Sequence, residues 1–300
     1  MYEQIASNKR KSIFLILFFV VMIFALVWAF GQLTEFGSYA IIPAAIIAVL
    51  MTWASYYNSD KIALAVSRAK PVSKEEYPYL YNVVEGLAIA GGIPKPRCYV
   101  IDDTAPNAFA SGRNPENAVV VVTTGLLQKL NRAELEGVIA HELSHIKNYD
   151  ILVQTLAVVM VGMIVLLSDW IMRTFLWGGR GRRSSNNREG GNAGSILIII
   201  ALVLAVLSPI IAQLLRLAVS RKREFLADAD GAMLTRYPAG LASALQKLAA
   251  DREPLEAANR ATAHMYIINP LKDQKHGAGL ARLFSTHPPI EERIAALEKM

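Results

Sequence analysis

One cysteine, Cys98, is all the chain holds in 300 residues. An internal disulfide framework is therefore excluded, and the count suits a reducing compartment. A cysteine nucleophile is not expected, because nothing near Cys98 in sequence reads as an activating environment. Histidine is also scarce, at five, and acidic residues number 25 against 31 Lys and Arg. The net charge of +6 does not point to nucleic acid. No basic patch interleaved with aromatics is present, and the Lys and Arg flank apolar runs as they do beside membrane spans.

Apolar residues are what the chain has in excess. They make up 53% of it, give a mean hydropathy of +0.32, and gather into long runs. Lys9-Arg10-Lys11 precede an uncharged stretch from Ser12 to Thr34, and a second runs from Phe36 to Ser59. Each is long enough to span a bilayer. A signal peptide is the competing reading; the length of the first run, the lack of a small-x-small cleavage site and the second run that follows at once count against it. The second run is broken by Pro43 and carries Trp53, Tyr56 and Tyr57 as interfacial anchors. Glu35 is the charge in the connector between them, so the positive-inside rule places Asp60 onward in the cytoplasm.

A third run, Ile151 to Ser168, and a fourth, Gly194 to Leu215, bracket a Gly- and Arg-rich connector, 178–193. Arg180, Arg182, Arg183 and Arg188 on that connector oppose the positive-inside rule if both runs cross fully. A hairpin that only dips into the bilayer is the alternative. Both return the chain to the cytoplasmic side.

Between the runs lie soluble stretches. Leu80, Val83, Val84 and Leu87 give Ser73 to Ile89 one apolar helical face, with Pro78 near the helix start and Gly91-Gly92-Ile93-Pro94 at its end. Arg97 to Ile101 and Ala118 to Thr123 read as strands. Asn107, Ala108, Phe109 and Ala110 lie between them. They form either an edge strand able to pair with an extended peptide or a surface loop.

The chemistry gathers at His141-Glu142-Leu143-Ser144-His145. Histidines four apart on a helix share a face, so both imidazoles reach one metal ion, and the Glu beside them can take a proton from its water. Asn131 with Glu134 forms a capping box at the start of that helix, and Leu135, Val138, Ile139, Leu143 and Ile146 give it a buried face. A catalytic zinc site takes three protein ligands and keeps a position for water. Glu224 is the candidate third ligand, and Asp228, four residues on, is placed to bond a ligand imidazole. His264 and His276 read as structural or solvated.

These pieces together resemble the HtpX family of integral membrane zinc metalloproteases, Glu-zincins related to the CAAX prenyl proteases. The resemblance rests on the N-terminal hairpin, Asn107-Ala-Phe-Ala, His141-Glu-Leu-Ser-His145, the following apolar pair, Arg223-Glu-Phe-Leu-Ala-Asp228 and Phe284-Ser-Thr-His-Pro-Pro289. It implies one zinc ion per subunit on His141, His145 and Glu224, with Glu142 as base. It also implies that His287 and Arg293 hold the substrate carbonyl or oxyanion.

The expected fold is α+β and mainly helical, with two to four transmembrane helices and a cytoplasmic zincin-like domain with a small sheet. Its parts are a membrane hairpin at 1–59, the first part of the protease domain at 60–150, a second apolar hairpin at 151–218 and the second part of the protease domain at 219–300. The expected activity is endopeptidase cleavage of misfolded or damaged membrane proteins at the inner membrane, with polypeptides and lipid as partners and no nucleic acid. The rival readings are a CAAX-type prenyl-protein protease and a non-catalytic membrane scaffold.

Overall fold

A computed structural model describes residues 2–32, 39, 41–160, 162, 220–258, 262–270 and 288–300. The fourth apolar run, the Arg-rich connector, His276 and His287 lie outside the described residues.

The chain opens with two apolar helices, α1 (Tyr2–Gln32) and α2 (Ile41–Tyr57), which pack on each other. Pro43 does not break α2. It sits in the first turn, where a missing amide donor costs nothing, and the bend falls instead at Asn58. There α3 (Ser59–Val66) leaves α2 at 71°. Among the described residues no single helix is long and apolar enough to cross a membrane; the bent pair α2–α3 together meets that requirement by length and composition alone.

The expected small sheet is present and mixed. Its strands are β1 (Lys70–Pro71), β2 (Arg97–Ile101), β3 (Ala108–Ser111) and β4 (Val119–Thr123), ordered β1-β2-β4-β3. β2 runs parallel to β4, while β1 and β3 pair antiparallel to their neighbours. Val119 to Val122 form an unbroken apolar run because β4 is covered on both faces. Val120 and Val122 face one core, while Val119 and Val121 face another with Phe109, Val158 and Tyr266.

Helix α4 (Pro78–Gly91) starts at Pro78 and ends on Gly92 in the left-handed conformation. It covers one side of the first core. The centre of that core is α6 (Arg132–Lys147), preceded by the short α5 (Thr124–Lys129). After α6 the chain turns through Tyr149, at φ 59°, into α7 (Asp150–Met160). Beyond the undescribed stretch come α8 (Arg221–Thr235), α9 (Pro238–Ala250) and α10 (Ile290–Leu297). Both α8 and α9 pack directly on α6. Gly137 makes the close approach of α9 possible, since a Cβ there would lie 2.7 Å from the Leu241 amide nitrogen. Among the described residues the fold is thus mostly helical around a small mixed sheet, and α6 is its axis.

Candidate active site

Helix α6 begins with the capping box read from the sequence. The Asn131 side chain accepts from the Glu134 amide at 3.0 Å, and Glu134 accepts from the Asn131 amide at 2.8 Å. The Glu134 carboxylate also takes bonds from Ser243 at 2.6 Å and Lys247 at 2.7 Å, which tie α9 to the start of α6. The helix is fixed at its first turn, and its third turn carries the motif.

His141 and His145 sit one above the other on α6, both buried, with ring planes at 89°. Their Nε2 atoms face each other at 3.2 Å. Glu224, from the first turn of α8, places one carboxylate oxygen 3.8 Å from the His141 Nε2 and the other 3.5 Å from the His145 Nε2. One ligand atom from each of the three residues lies within 4.8 Å of the others. The outer nitrogens are held by carboxylates: Asp228 lies 2.9 Å from the Nδ1 of His141, and Asp150 lies 3.0 Å from the Nδ1 of His145. With both Nδ1 protons engaged there, the two Nε2 lone pairs point at the same space beside a third anionic group. That arrangement calls for a cation. Zinc–nitrogen bonds of about 2.0–2.1 Å at a tetrahedral angle put two imidazole nitrogens about 3.3 Å apart. The donor set fits such an ion.

Without a cation the electrostatics are tense. Burial pulls His141 down, against Asp228, and it remains lowered. Burial pulls His145 the same way, but Asp150 and Glu224 outweigh it and raise it to about 9. Glu142 is raised to about 7, first by burial and further by Glu224, while His145 opposes. The nearby Ala110 backbone amide also draws the carboxyl downward.

Ala110 belongs to the sheet edge. β3 is an edge strand, as one of the two readings of Asn107 to Ala110 had it, although Ala108 to Ser111 are all buried. Thr123 donates its amide to the Asn107 carbonyl, so by the antiparallel register Ala108 and Ala110 turn their backbone groups away from β4. The Ala108 carbonyl accepts from the Ile267 amide at 3.0 Å. Asn107 donates to the Ile268 carbonyl at 3.2 Å, and Phe109 meets the Tyr266 ring edge-on at 5.0 Å. Asn107, Ala108 and Phe109 therefore hold the chain's own buried segment 266–268, and Ala110 faces Glu142.

Arg293, from α10, is 0% exposed and reaches the same centre. Its Nε and Nη2 make a two-pronged bond to Asp228 at 2.8 and 2.7 Å, and its Nη1 donates to the Ile267 carbonyl at 2.9 Å. Burial alone would raise the Asp228 carboxyl, but Arg293 and His141 hold it below its ordinary value. Nη1 stands 3.7 Å from the Glu224 carboxylate. The described polar contacts of Arg293 thus go to Asp228 and the chain's own backbone, and its Nη2 also lies 3.5 Å from the Nδ1 of His141. His264 is buried and structural in character, its Nε2 3.3 Å from the Gln154 carbonyl.

Asp150 was not singled out in the sequence. Its signal was available: it is the first carboxylate beyond the motif, five residues after His145, where α6 has ended and a new helix begins. The left-handed Tyr149 folds it back beneath the histidine.

A buried helix bearing His-Glu-x-x-His, with a carboxylate from a second helix completing the triangle, is a metalloprotease-type centre. The model for "Peptidase family M48" matches residues 73–300, and the chain belongs to that family. A "Protease HtpX homolog" of Dictyoglomus turgidum is 51% identical over 299 residues, covering all of this chain and 94% of the relative. One from Thermoanaerobacter pseudethanolicus is 46% identical over 301 residues, covering all of this chain and 98% of the relative. Among solved structures, "Crystal Structure of S. mikatae Ste24p" matches at a TM-score of 0.48 and 20% identity, over 99% of this chain and 67% of that one. The chain is a metalloprotease, and its resemblance to HtpX proteins holds along its whole length.

Proposed function

We propose that the chain is a membrane-bound zinc endopeptidase in which His141, His145 and Glu224 hold one zinc ion and Glu142 moves the proton. The observation that carries this reading is the pair of Nε2 atoms 3.2 Å apart, each with its Nδ1 held by a carboxylate and both facing Glu224. When bound there, zinc supplies Lewis acidity, polarising a carbonyl and bringing the pKa of a water to about 7.

The protein's own groups do the rest. Glu142, buried on α6 between the two histidines, accepts a proton from water as the water oxygen bonds to the scissile carbonyl carbon. As the C–N bond breaks, the same carboxyl returns that proton to the leaving amine. Asp228 and Asp150 hold the imidazoles in the tautomer that presents Nε2. Arg293 acts through Asp228, neutralising a carboxylate that would otherwise be buried with only His141 opposite. An extended substrate lies against the β3 edge at Ala110, recognised through its backbone rather than its side chains. His287 is assigned to the substrate carbonyl on the family resemblance.

Exposed apolar residues support membrane attachment. Ile13, Phe14, Leu17 and Val21 line one face of α1, and Ile42, Ile46, Val49, Leu50 and Trp53 stand out from α2. Side chains of this kind in such number mark a surface that meets lipid or protein. The N-terminal hairpin spans the membrane with Asp60 onward on the cytoplasmic side, and the substrates are misfolded or damaged membrane proteins.

Cleavage of an unfolded casein-like chain by purified full-length protein tests the activity. A prenylated peptide serves as the competing substrate. Casein cleavage lost on chelation and restored by zinc supports the reading, and tripeptide release from the prenylated peptide alone replaces it with the prenyl-protease reading.

A further inference from the structure

Asp150 connects the metal centre to the far end of the chain. One carboxylate oxygen lies 3.0 Å from the Nδ1 of His145. The other accepts from the Asn8 side chain at 2.7 Å and from Arg223, neighbour of Glu224, at 3.1 Å. Asn8 belongs to α1, at the N-terminus, and is 2% exposed. Its amide group also donates to the Asn148 carbonyl at 2.8 Å, the carbonyl at the end of α6, and its oxygen lies 3.4 Å from Arg223.

Nothing local demands an asparagine at this point. A buried polar side chain on an apolar helix costs free energy unless its bonds are made, and those of Asn8 are made to residues about 140 positions away. Packing of α1 on α7 holds it in place. Leu15, Phe19, Met22 and Ile23 lie against Leu152, Val153, Leu156, Ala157 and Met160. Asn8 is thus set where the end of α6, the start of α7 and the start of α8 meet, and these carry or flank all three proposed ligands.

We infer that Asn8 is a positioning residue for the metal centre, acting through Asp150 on His145. With Oδ1 of Asp150 fixed by Asn8 and Arg223, Oδ2 is aimed at the imidazole and holds its Nε2 toward the ion. The inference rests on the metal reading proposed above. It adds that a hydrogen bond from the N-terminal apolar helix sets how tightly the ion is retained.

The test is a double-mutant cycle on the full-length protein in detergent, read as zinc affinity by competition with a chromogenic chelator. Asp150→Asn should weaken zinc by about 10- to 100-fold, the usual effect of losing such a partner. Asn8→Ala should weaken it about fivefold to tenfold on the same basis. The double variant should be little weaker than Asp150→Asn, because the two act in series. Asn8→Asp, of the same shape, sets a carboxylate against Asp150 and should weaken zinc at least as much as Asn8→Ala. Leu64→Ala, a packing change on α3 outside the α1–α7 contact that holds Asn8, should lower the melting temperature and leave zinc affinity alone.

Unchanged affinity in Asn8→Ala, losses that multiply in the double variant, or an equal loss in Leu64→Ala overturns the inference. The two readings fail differently. A wild-type chain that holds no zinc overturns the metal reading and this one with it, whereas a zinc-binding wild type with an indifferent Asn8→Ala overturns this one alone.

Discussion

Gly231 lies against the backbone of His141. A Cβ added to the glycine would meet the His141 amide nitrogen at 3.0 Å, its Cα at 3.2 Å and the Ala140 carbonyl carbon at 3.3 Å. The helix that carries Glu224 therefore touches the helix that carries the histidines backbone to backbone, which is how a carboxylate from α8 comes within reach of both rings.

Gly231→Ala tests that contact. Alanine would favour the helix by up to about 1 kcal/mol. Against this, overpacking costs about 1–3 kcal/mol, and the atoms met are helix backbone that cannot swing aside. The balance is a loss of about 1 kcal/mol, with α8 displaced and Glu224, about two turns earlier, carried with it. Thermal melting and zinc titration should both fall. A variant more stable than wild type with undiminished zinc affinity would show that the two helices can part without consequence.

Asp228→Asn should be among the most damaging substitutions that preserve shape. It removes the charge that Arg293 grips with two bonds at 2.7 and 2.8 Å, leaving a guanidinium buried at 0% exposure without that anion. Losing one partner of a buried pair costs about 3–5 kcal/mol. Glu136→Gln, which affects an exposed pair with Arg132 on α6, should change stability by no more than about 0.5 kcal/mol. Comparable melting temperatures for the two variants would contradict the assignment of Arg293 and Asp228 as one unit.

The start of α6 carries a pH dependence. Burial raises the Glu134 carboxyl, but bonds from Lys247, Ser243 and the Asn131 amide outweigh it and leave the group below its ordinary value. A depressed carboxyl contributes stability that is present above the unfolded pKa of about 4.3 and lost as pH falls through the lower folded value. Glu134→Gln should therefore destabilise the chelator-treated protein by about 1–2 kcal/mol at neutral pH, from the lost cap and charged hydrogen bonds. Lys247 is half-exposed, which keeps the figure modest. The gap between variant and wild type should close below the folded pKa. A gap that persists unchanged into that acid range would show that its cause is not the charge.

Cys98 should be inert in the folded protein. It is buried in the first core, and burial pushes its thiol up to about 11 despite Lys95 nearby. A thiol reagent at pH 8 should label it only after denaturation. Rapid labelling of the native chain would mean that β2 opens readily.

Much of this centre was legible in the sequence because its signals are local. Asn131 and Glu134 announce the start of α6 by their spacing, and the histidines announce their shared face by theirs. Pro78 sets the first residue of α4 as expected, since the Ser73–Glu76 pair before it bonds reciprocally without starting a helix. Pro43 misled for the converse reason: a proline reads as a break, yet in the first turn of α2 it is tolerated, and Asn58 bends the chain instead. Asp150 escaped because its role depends on the left-handed Tyr149, which no pattern of apolar residues reveals. The bonds of Asn8 and the hold of segment 266–268 on β3 are long-range. A four-residue edge strand looks the same in sequence whether its outer side is open or taken.

The most direct measurement of the central claim is zinc content alongside casein cleavage for wild type, Glu142→Gln and Glu224→Ala in detergent. The account predicts about one zinc and cleavage in wild type, and zinc without cleavage in Glu142→Gln, with a rate loss of at least about 10²–10⁴-fold. It predicts neither zinc nor cleavage in Glu224→Ala. A Glu142→Gln chain that cleaves at the wild-type rate, or a Glu224→Ala chain that keeps its zinc, would contradict the assignment of these residues.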